Sequence, residues 1–272
     1  MPTIVFSHAN SFPASTYGVM LASLKKRGFT VKAIEKFGHD ARYPVTNNWP
    51  HLVQQLADFA QSLVDKSGEK VFFVGHSLGG ILSTLCASKH PHLAQGVVVL
   101  DSPVFDGWRA QALKAVKASG IVVNISPGKV SHKRTQVWAS SQAAYDSFKS
   151  KRAFARWDDA CLRDYIAHGT VEGEDGKRHL AFDRRVETDI YNTLADHLEP
   201  TLRRRPLQCP AAFIGGLQSE ELKKTGTELT SKFTQNRMLW IDGAHLYPME
   251  KPVATAALIE GVIMTMSSAQ TR

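Results

Sequence analysis

Short apolar runs alternate with segments of helical periodicity at both ends of the chain. The apolar runs lie at 4–6, 29–34, 71–74, 97–100, 211–214 and 238–241. Between and after them, apolar residues recur every three or four positions, at 16–27, 49–66, 80–88, 222–233 and 253–266. Continuous apolar strands joined by helices predict an α/β protein with a mostly parallel sheet of about six strands, flanked by helices.

This alternation is interrupted between residues 103 and 205. The interruption contains amphipathic stretches at 108–118, 135–157 and 159–167, and a small hairpin that turns at Asp175-Gly176. We therefore expect 1–102 and 206–272 to form the sheet core, and 103–205 to form a helical cap inserted after the fourth strand. The aromatic residues of this cap either line an apolar acyl site or form the cap's own small core: Trp108, Trp138, Tyr145, Phe148, Phe154 and Trp157.

Composition excludes several classes of protein. With 272 residues, 43% hydrophobic and 21% charged, the chain has too much apolar surface to be mostly disordered. The formal charge of +8 could indicate nucleic-acid binding, but the tightest basic cluster is only Arg203-Arg204-Arg205, and no nucleic-acid-binding motif accompanies it. Because 103–205 holds 18 Lys and Arg against 13 Asp and Glu, +5 of this charge falls on the cap. We expect a small-molecule substrate, which could be anionic, and no nucleic acid.

Cysteine usage and the N-terminal residues bear on location. The three cysteines, Cys86, Cys161 and Cys209, are too few and too scattered for a disulfide framework, which favours the reducing cytoplasm. The first apolar run has no basic segment before it, and no apolar stretch approaches the roughly 18 residues that a membrane span needs. We therefore expect no signal peptide and no membrane span.

The chemistry-bearing motif is Gly75-x-Ser77-x-Gly79, which lies where a predicted strand ends and a predicted helix begins. A tight turn at this point exposes the serine hydroxyl above the sheet edge, and the flanking glycines allow close backbone packing. The free N–H groups and the positive end of the helix dipole then stabilise negative charge beside that hydroxyl. Ser77 is therefore the candidate nucleophile.

A serine needs a base, and the base needs a carboxylate. His245 follows the last predicted strand, on a loop at the same sheet edge as Ser77, and is the candidate base. Glu220, on the loop after the 211–214 strand, is the preferred acid. Glu221 and Asp101, which ends the fourth strand, are the alternatives.

An oxyanion hole requires two N–H donors. Leu78 follows the nucleophile directly and is the first candidate. The second is expected from the loop after the first strand, at Ala9 or Asn10, with Asn10 able to donate by its backbone, its side chain or both. The sequence points to no cofactor and no metal.

These motifs together resemble the α/β-hydrolase family. Gly-His-Ser-Leu-Gly-Gly at 75–80 is similar to the family's nucleophile elbow, and Gly-Ala-His-Leu-Tyr-Pro-Met-Glu-Lys-Pro at 243–252 to its histidine loop. The resemblance implies a serine hydrolase with a triad and a cap after the sixth family strand, where Asp101-Ser102-Pro103 lies. The chain departs from the pattern in three ways: it lacks the first two family strands, it has His8-Ala9 where His-Gly is usual, and its preferred acid is Glu, not Asp.

The resulting expectation is a cofactor-independent serine hydrolase that cleaves a carboxylic ester or related acyl bond through a Ser-His-Glu triad. Other chemistries of the same fold remain open: thioesterase, C–C hydrolase, acyltransferase and cofactor-free haloperoxidase. A non-catalytic small-molecule receptor is the alternative from a different class. The natural substrate and the oligomeric state are not predicted.

Overall fold

A computed structural model describes residues 1–119 and 134–270 of the chain. Its main sheet contains the six strands expected from the apolar runs: β1 Thr3–Ser7, β2 Thr30–Ala33, β3 Val71–His76, β4 Ala94–Leu100, β8 Ala211–Gly216 and β9 Met238–Ile241. The strand order is β2-β1-β3-β4-β8-β9, and every neighbouring pair is parallel. The predicted fold class is therefore confirmed.

Strand register places the loops that carry the candidate site at one edge of this sheet. Ser7 at the end of β1 pairs with Gly75 on β3, and Leu100 at the end of β4 pairs with both His76 and Ile214. Because parallel strands end at a common edge, the loops after β1, β3, β4, β8 and β9 converge there.

Helices of the core cover both faces of the sheet. They are α1 Gly18–Lys26, preceded by the 3-10 turn Ala14–Tyr17, α2 Pro50–Ser67, α3 Leu78–Lys89, α9 Glu220–Thr225, α10 Glu228–Thr234, α11 Tyr247–Glu250 and α12 Pro252–Gln270. Helix α2 begins at a proline, where the missing N–H costs nothing, and ends at Gly68 with φ of +70°. The single helix expected at 222–233 is instead two helices, because Gly226 between α9 and α10 adopts φ of +77°.

Two apolar layers result, one on each face of the sheet. One contains side chains such as Val5, Phe73 and Val97 packed with α2 and α3, and the other contains their sequence neighbours Phe6 and Phe72 packed with α1 and α12. Side chains alternate along each strand, and in the inner strands β1, β3, β4 and β8 nearly all residues of both sets are buried, which accounts for their continuous apolar sequences. The edge strands β2 and β9 are more open and expose Lys32 and Trp240.

The insertion between β4 and β8 is mainly helical in the parts that the structure describes. It contains α4 Gly107–Ala118, β5 Val137–Trp138, α5 Ser141–Lys149, α6 Asp159–Gly169, β6 Thr170–Glu172, β7 Arg178–Leu180, α7 Arg184–Asn192 and α8 Leu198–Arg204. Strands β6 and β7 pair antiparallel around the expected hairpin turn, and β5 joins β7. The stretch 135–157 is not one helix, because Ser140 caps α5 by accepting a hydrogen bond from Ala143 N–H.

Five aromatic residues of the insertion pack together and belong to the same apolar layer as Phe6 and Phe72. The rings of Phe148, Phe154 and Trp157 each lie 4.9–5.7 Å from that of Tyr165, centre to centre, and Trp138 packs on Phe148 at 5.2 Å. In contrast, Trp108 is 73% exposed on α4. Of the two readings of these aromatics, the structure favours the packing core over the lining of an acyl site.

Three smaller observations complete the fold. All three cysteines have free thiols, with Cys86 and Cys161 buried. Among the helices within 1–119 and 134–270, none has the length and apolar character required to cross a membrane. Within the insertion, Lys117 of α4 forms a buried ion pair with Asp196 at 2.5 Å, and the two side chains are only 9% and 8% exposed.

Candidate active site

Ser77 occupies a strained turn between β3 and α3. Its backbone adopts φ of +54°, a left-handed value that is rare outside glycine and that lifts its side chain out of the strand direction. Glycine is required around it: a Cβ on Gly75 would lie 2.1 Å from the carbonyl oxygen of Gly79, and one on Gly79 would lie 2.0 Å from that of Ser7. The motif's spacing thus follows from close backbone contact on both sides of the serine.

His245 lies beside the serine, as the sequence predicted for the loop after β9. Its Nε2 is 3.1 Å from Ser77 Oγ, a hydrogen-bond distance at which Nε2 accepts the hydroxyl proton. The imidazole is 17% exposed, so that solvent reaches only part of the ring. This geometry is what a general base for the Ser77 hydroxyl requires.

The carboxylate at His245 belongs to Asp101. His245 Nδ1–H donates to Asp101 Oδ1 at 2.7 Å, which leaves Nε2 free to accept from Ser77. Asp101 is completely buried, and two other donors also reach it: Ser219 Oγ–H at 2.6 Å to Oδ1 and Gly216 N–H at 2.6 Å to Oδ2. Three hydrogen-bond donors compensate this buried carboxylate for the loss of solvent. The backbone of Asp101 has φ of +42°, which directs the carboxylate toward His245.

Glu220, the preferred acid of the sequence analysis, does not reach His245. Its carboxylate pairs with Lys223 at 2.6 Å and is 68% exposed. The physical reason is helix capping: the Ser219 side chain accepts from Leu222 N–H, which makes Glu220 the first residue of α9 and leaves its carboxylate in solvent. Glu221 forms no hydrogen bond to His245 in the described part of the chain. Asp101, the alternative from the end of β4, is the residue in contact.

Electrostatics at His245 favour the protonated imidazole. Burial lowers the pKa of His245, but the hydrogen bond and charge of Asp101, with a smaller contribution from the charge of Glu221, outweigh burial and hold the pKa above its ordinary value. An imidazolium that forms during a reaction is therefore stabilised by the Asp101 carboxylate.

The oxyanion candidates Leu78, Ala9 and Asn10 differ in whether their backbone N–H groups already have an acceptor. Leu78 is the first residue of α3, where N–H groups have no partner within the helix, and its side chain is buried. Ala9 is not available, because its N–H donates to Tyr17 Oη at 3.1 Å. Asn10 N–H has no acceptor among residues 1–119 and 134–270, whereas the Asn10 side chain donates from Nδ2 to the carbonyl of Glu187 at 3.0 Å. Of the two candidates on this loop, Asn10 is therefore the one whose backbone N–H is still available.

Contacts that the sequence did not reveal join this loop to the insertion. Glu187 of α7 is 4% exposed, and its carboxylate pairs with Arg134 at 2.9 Å. The same Arg134 donates to Tyr165 Oη at 2.8 Å. Glu187 thus links the Asn10 contact to a buried ion pair. No sequence motif marks the residues of this pair.

The chain belongs to the alpha/beta hydrolase family, whose model matches residues 4–258. A serine hydrolase-like protein of Dictyostelium discoideum is 24% identical over 258 residues, which cover 89% of this chain and 69% of that protein.

Two solved structures share the fold. E-2-(acetamidomethylene)succinate hydrolase superposes with a TM-score of 0.72 at 21% identity, covering 96% of this chain and 91% of its own. The thioesterase domain from the curacin biosynthetic pathway gives a TM-score of 0.72 at 16% identity, covering 95% and 90%. At these identities the likeness shows the fold and not the substrate.

Proposed function

We propose that this protein is a serine hydrolase that cleaves carboxylic esters or related acyl bonds through a triad of Ser77, His245 and Asp101. The observation that carries the proposal is the continuous hydrogen-bonded path from Ser77 Oγ through both imidazole nitrogens to a buried carboxylate, at 3.1 Å and 2.7 Å. Membership of the alpha/beta hydrolase family makes hydrolysis the expected chemistry.

The proposed reaction has two steps. Ser77 Oγ attacks the acyl carbon while His245 Nε2 takes the hydroxyl proton, and the leaving alcohol or thiol departs with that proton. The N–H groups of Leu78 and Asn10 hold the oxyanion of the tetrahedral intermediate. Water then attacks the acyl-enzyme, gives its proton to Nε2, and releases the acid and free Ser77 Oγ–H. Asp101 accepts from His245 Nδ1–H in both steps and stabilises the imidazolium.

The insertion is proposed to act as a cap over this site. Its α7 helix contacts the oxyanion loop, residues 8–13 after β1, through the Glu187 carbonyl. Its Lys117–Asp196 ion pair fastens α4 to the loop between α7 and α8. The net charge of +5 on 103–205 is the reason to include anionic esters among the substrates tested.

The test is turnover of p-nitrophenyl esters and acyl thioesters of several chain lengths by the wild-type protein and by Ser77→Ala. We expect hydrolysis of at least one class by the wild-type protein, and a loss of about 10³-fold or more in Ser77→Ala. Turnover unchanged in Ser77→Ala would refute the proposal. An initial burst with no steady turnover would instead identify a receptor that is acylated without release.

A further inference from the structure

Outside the triad, a second buried histidine lies next to the nucleophile. His76, the residue before Ser77, is completely buried with its ring centre 5.1 Å from that of His245. His76 Nε2 is 2.8 Å from the backbone carbonyl oxygen of His245, and His76 Nδ1 is 2.8 Å from Tyr17 Oη.

The chemistry of these partners fixes every proton. A carbonyl oxygen only accepts, so His76 Nε2 carries the hydrogen and donates to His245. In the neutral ring Nδ1 then accepts, so Tyr17 Oη–H must donate to it. The oxygen of Tyr17 keeps a lone pair, which accepts the Ala9 N–H at 3.1 Å. Only one placement of the hydrogens on His76 and Tyr17 therefore satisfies all of these hydrogen bonds.

Burial keeps this arrangement neutral. Burial and the neighbouring charge of His245 lower the pKa of His76 to about 3, against a smaller opposing effect of its hydrogen bond to the His245 carbonyl. Burial also raises the pKa of Tyr17. Neither group changes protonation over the pH range in which a His245 base works.

We infer that Tyr17 and His76 are positioning residues that join the base loop to the oxyanion loop, so that His245 and the Asn10 N–H face Ser77 together. One end of the chain holds the backbone of the base itself. The other end holds Ala9, the residue before the proposed donor. The carbonyl group of Ala9 is also held in place, because it accepts from His8 Nδ1–H at 2.8 Å and from Phe12 N–H at 3.2 Å.

This role explains a departure from the family pattern. Ala9 replaces the glycine that is usual after the histidine of this loop, and it loses glycine's conformational freedom. With its N–H and its carbonyl both bonded, the peptide that contains Asn10 N–H has a fixed direction without glycine. The inference rests on the proposed function, since it assigns these groups to positioning of the same reaction.

The test uses Tyr17→Phe, which removes one oxygen and retains the ring packing, and His76→Gln, which keeps a donor for the His245 carbonyl. The matched control is Thr234→Val, another fully buried hydroxyl, which bonds to Thr230 O at 2.7 Å in α10. The readouts are the rate constant for labelling by a fluorophosphonate, kcat and KM for a responsive ester, and thermal unfolding to show that each variant is folded.

We expect labelling and kcat to fall about 10-fold to 100-fold in Tyr17→Phe, with KM within about twofold of wild type, because a misdirected oxyanion donor affects the transition state more than substrate binding. His76→Gln should lose less activity than His76→Leu. Thr234→Val should react at the wild-type rate despite a lower unfolding temperature. Wild-type kinetics in folded Tyr17→Phe would overturn the positioning role.

The proton arrangement is checked separately by ¹⁵N NMR of histidine-labelled protein. His76 should be the Nε2–H tautomer from pH 5 to pH 9, and a His76 that titrates or carries its hydrogen on Nδ1 would overturn the inference. If the wild-type protein reacts with no acyl or phosphonyl probe, the proposed function is refuted. If the wild-type protein reacts and folded Tyr17→Phe reacts at the same rate, only the positioning role is refuted.

Discussion

Replacement of Asp101 by Asn tests which carboxylate serves His245. The substitution keeps the shape of the side chain but exchanges one acceptor oxygen for an NH₂ group, in a site where Gly216 N–H, Ser219 Oγ–H and His245 Nδ1–H all donate. If the amide nitrogen faces His245, Nδ1 must accept, and the ring hydrogen moves to Nε2. Nε2 then can no longer take the proton of Ser77.

The expected magnitude follows from this change of tautomer. The same substitution in the serine-protease triad lowers kcat about 10⁴-fold, so we expect kcat/KM of Asp101→Asn to fall about 10³-fold to 10⁴-fold, or about 4–5.5 kcal/mol of transition-state stabilisation. Glu220→Gln should change kcat/KM by about twofold or less, because its carboxylate is 68% exposed and pairs with Lys223.

The assay is kcat/KM for the best p-nitrophenyl ester in wild type, Asp101→Asn and Glu220→Gln, with thermal unfolding of each. Ser219→Ala is the control for lost hydrogen bonding, because it removes one donor to Asp101 without removing the charge. A loss of activity in Glu220→Gln that equals or exceeds that in Asp101→Asn would refute the assignment.

Three further outcomes follow from the structure. Since neutral His245 is the proposed base and Asp101 and Glu221 hold its pKa above the ordinary value, wild-type kcat/KM, measured from pH 5 to 9, should fall as the pH drops through a value above 6.5; the neighbouring His76, with a pKa of about 3, stays neutral over this range. Gly79→Ala should lower the free energy of unfolding by about 3 kcal/mol or prevent folding, measured by urea denaturation, because the new Cβ would lie 2.0 Å from a backbone oxygen. Lys117→Met should cost about 3–5 kcal/mol by the same measurement, because it leaves Asp196 buried without its partner.

Much of the fold could be predicted because the inner strands of its sheet are buried on both faces. Continuous apolar runs such as 71–74 have few alternatives in a chain of this composition, and all six predicted strands are present. Helix α7 was missed for the opposite reason. In Arg184–Asn192 only Val186 and Ile190 are aliphatic, which is too short a pattern to identify a helix. Its contacts are with residues distant in sequence, such as Trp49, whose Nε1–H donates to the Ile190 carbonyl, and Asn10.

In the candidate site too, some features are set by neighbouring residues and others by residues far apart in sequence. The proximity of Ser77 and His245 could be predicted because the strained turn and the loop after the last strand are encoded by neighbouring residues. Which carboxylate contacts His245 could not be predicted, since Glu220 and Asp101 follow adjacent strands at one sheet edge. Their directions depend on the Ser219 cap and on the positive φ of Asp101. The Tyr17–His76 chain joins residues 59 positions apart and has no local signal.

The most direct test of the account is detection of the acyl-enzyme. Wild-type protein mixed with an activated ester, quenched in acid within the first turnovers and digested, should carry the acyl group on the peptide that contains Ser77, as measured by mass spectrometry. The adduct should be absent in Ser77→Ala and should form slowly in Asp101→Asn. Turnover without any adduct, or an adduct on another residue that Ser77→Ala leaves unchanged, would contradict the account.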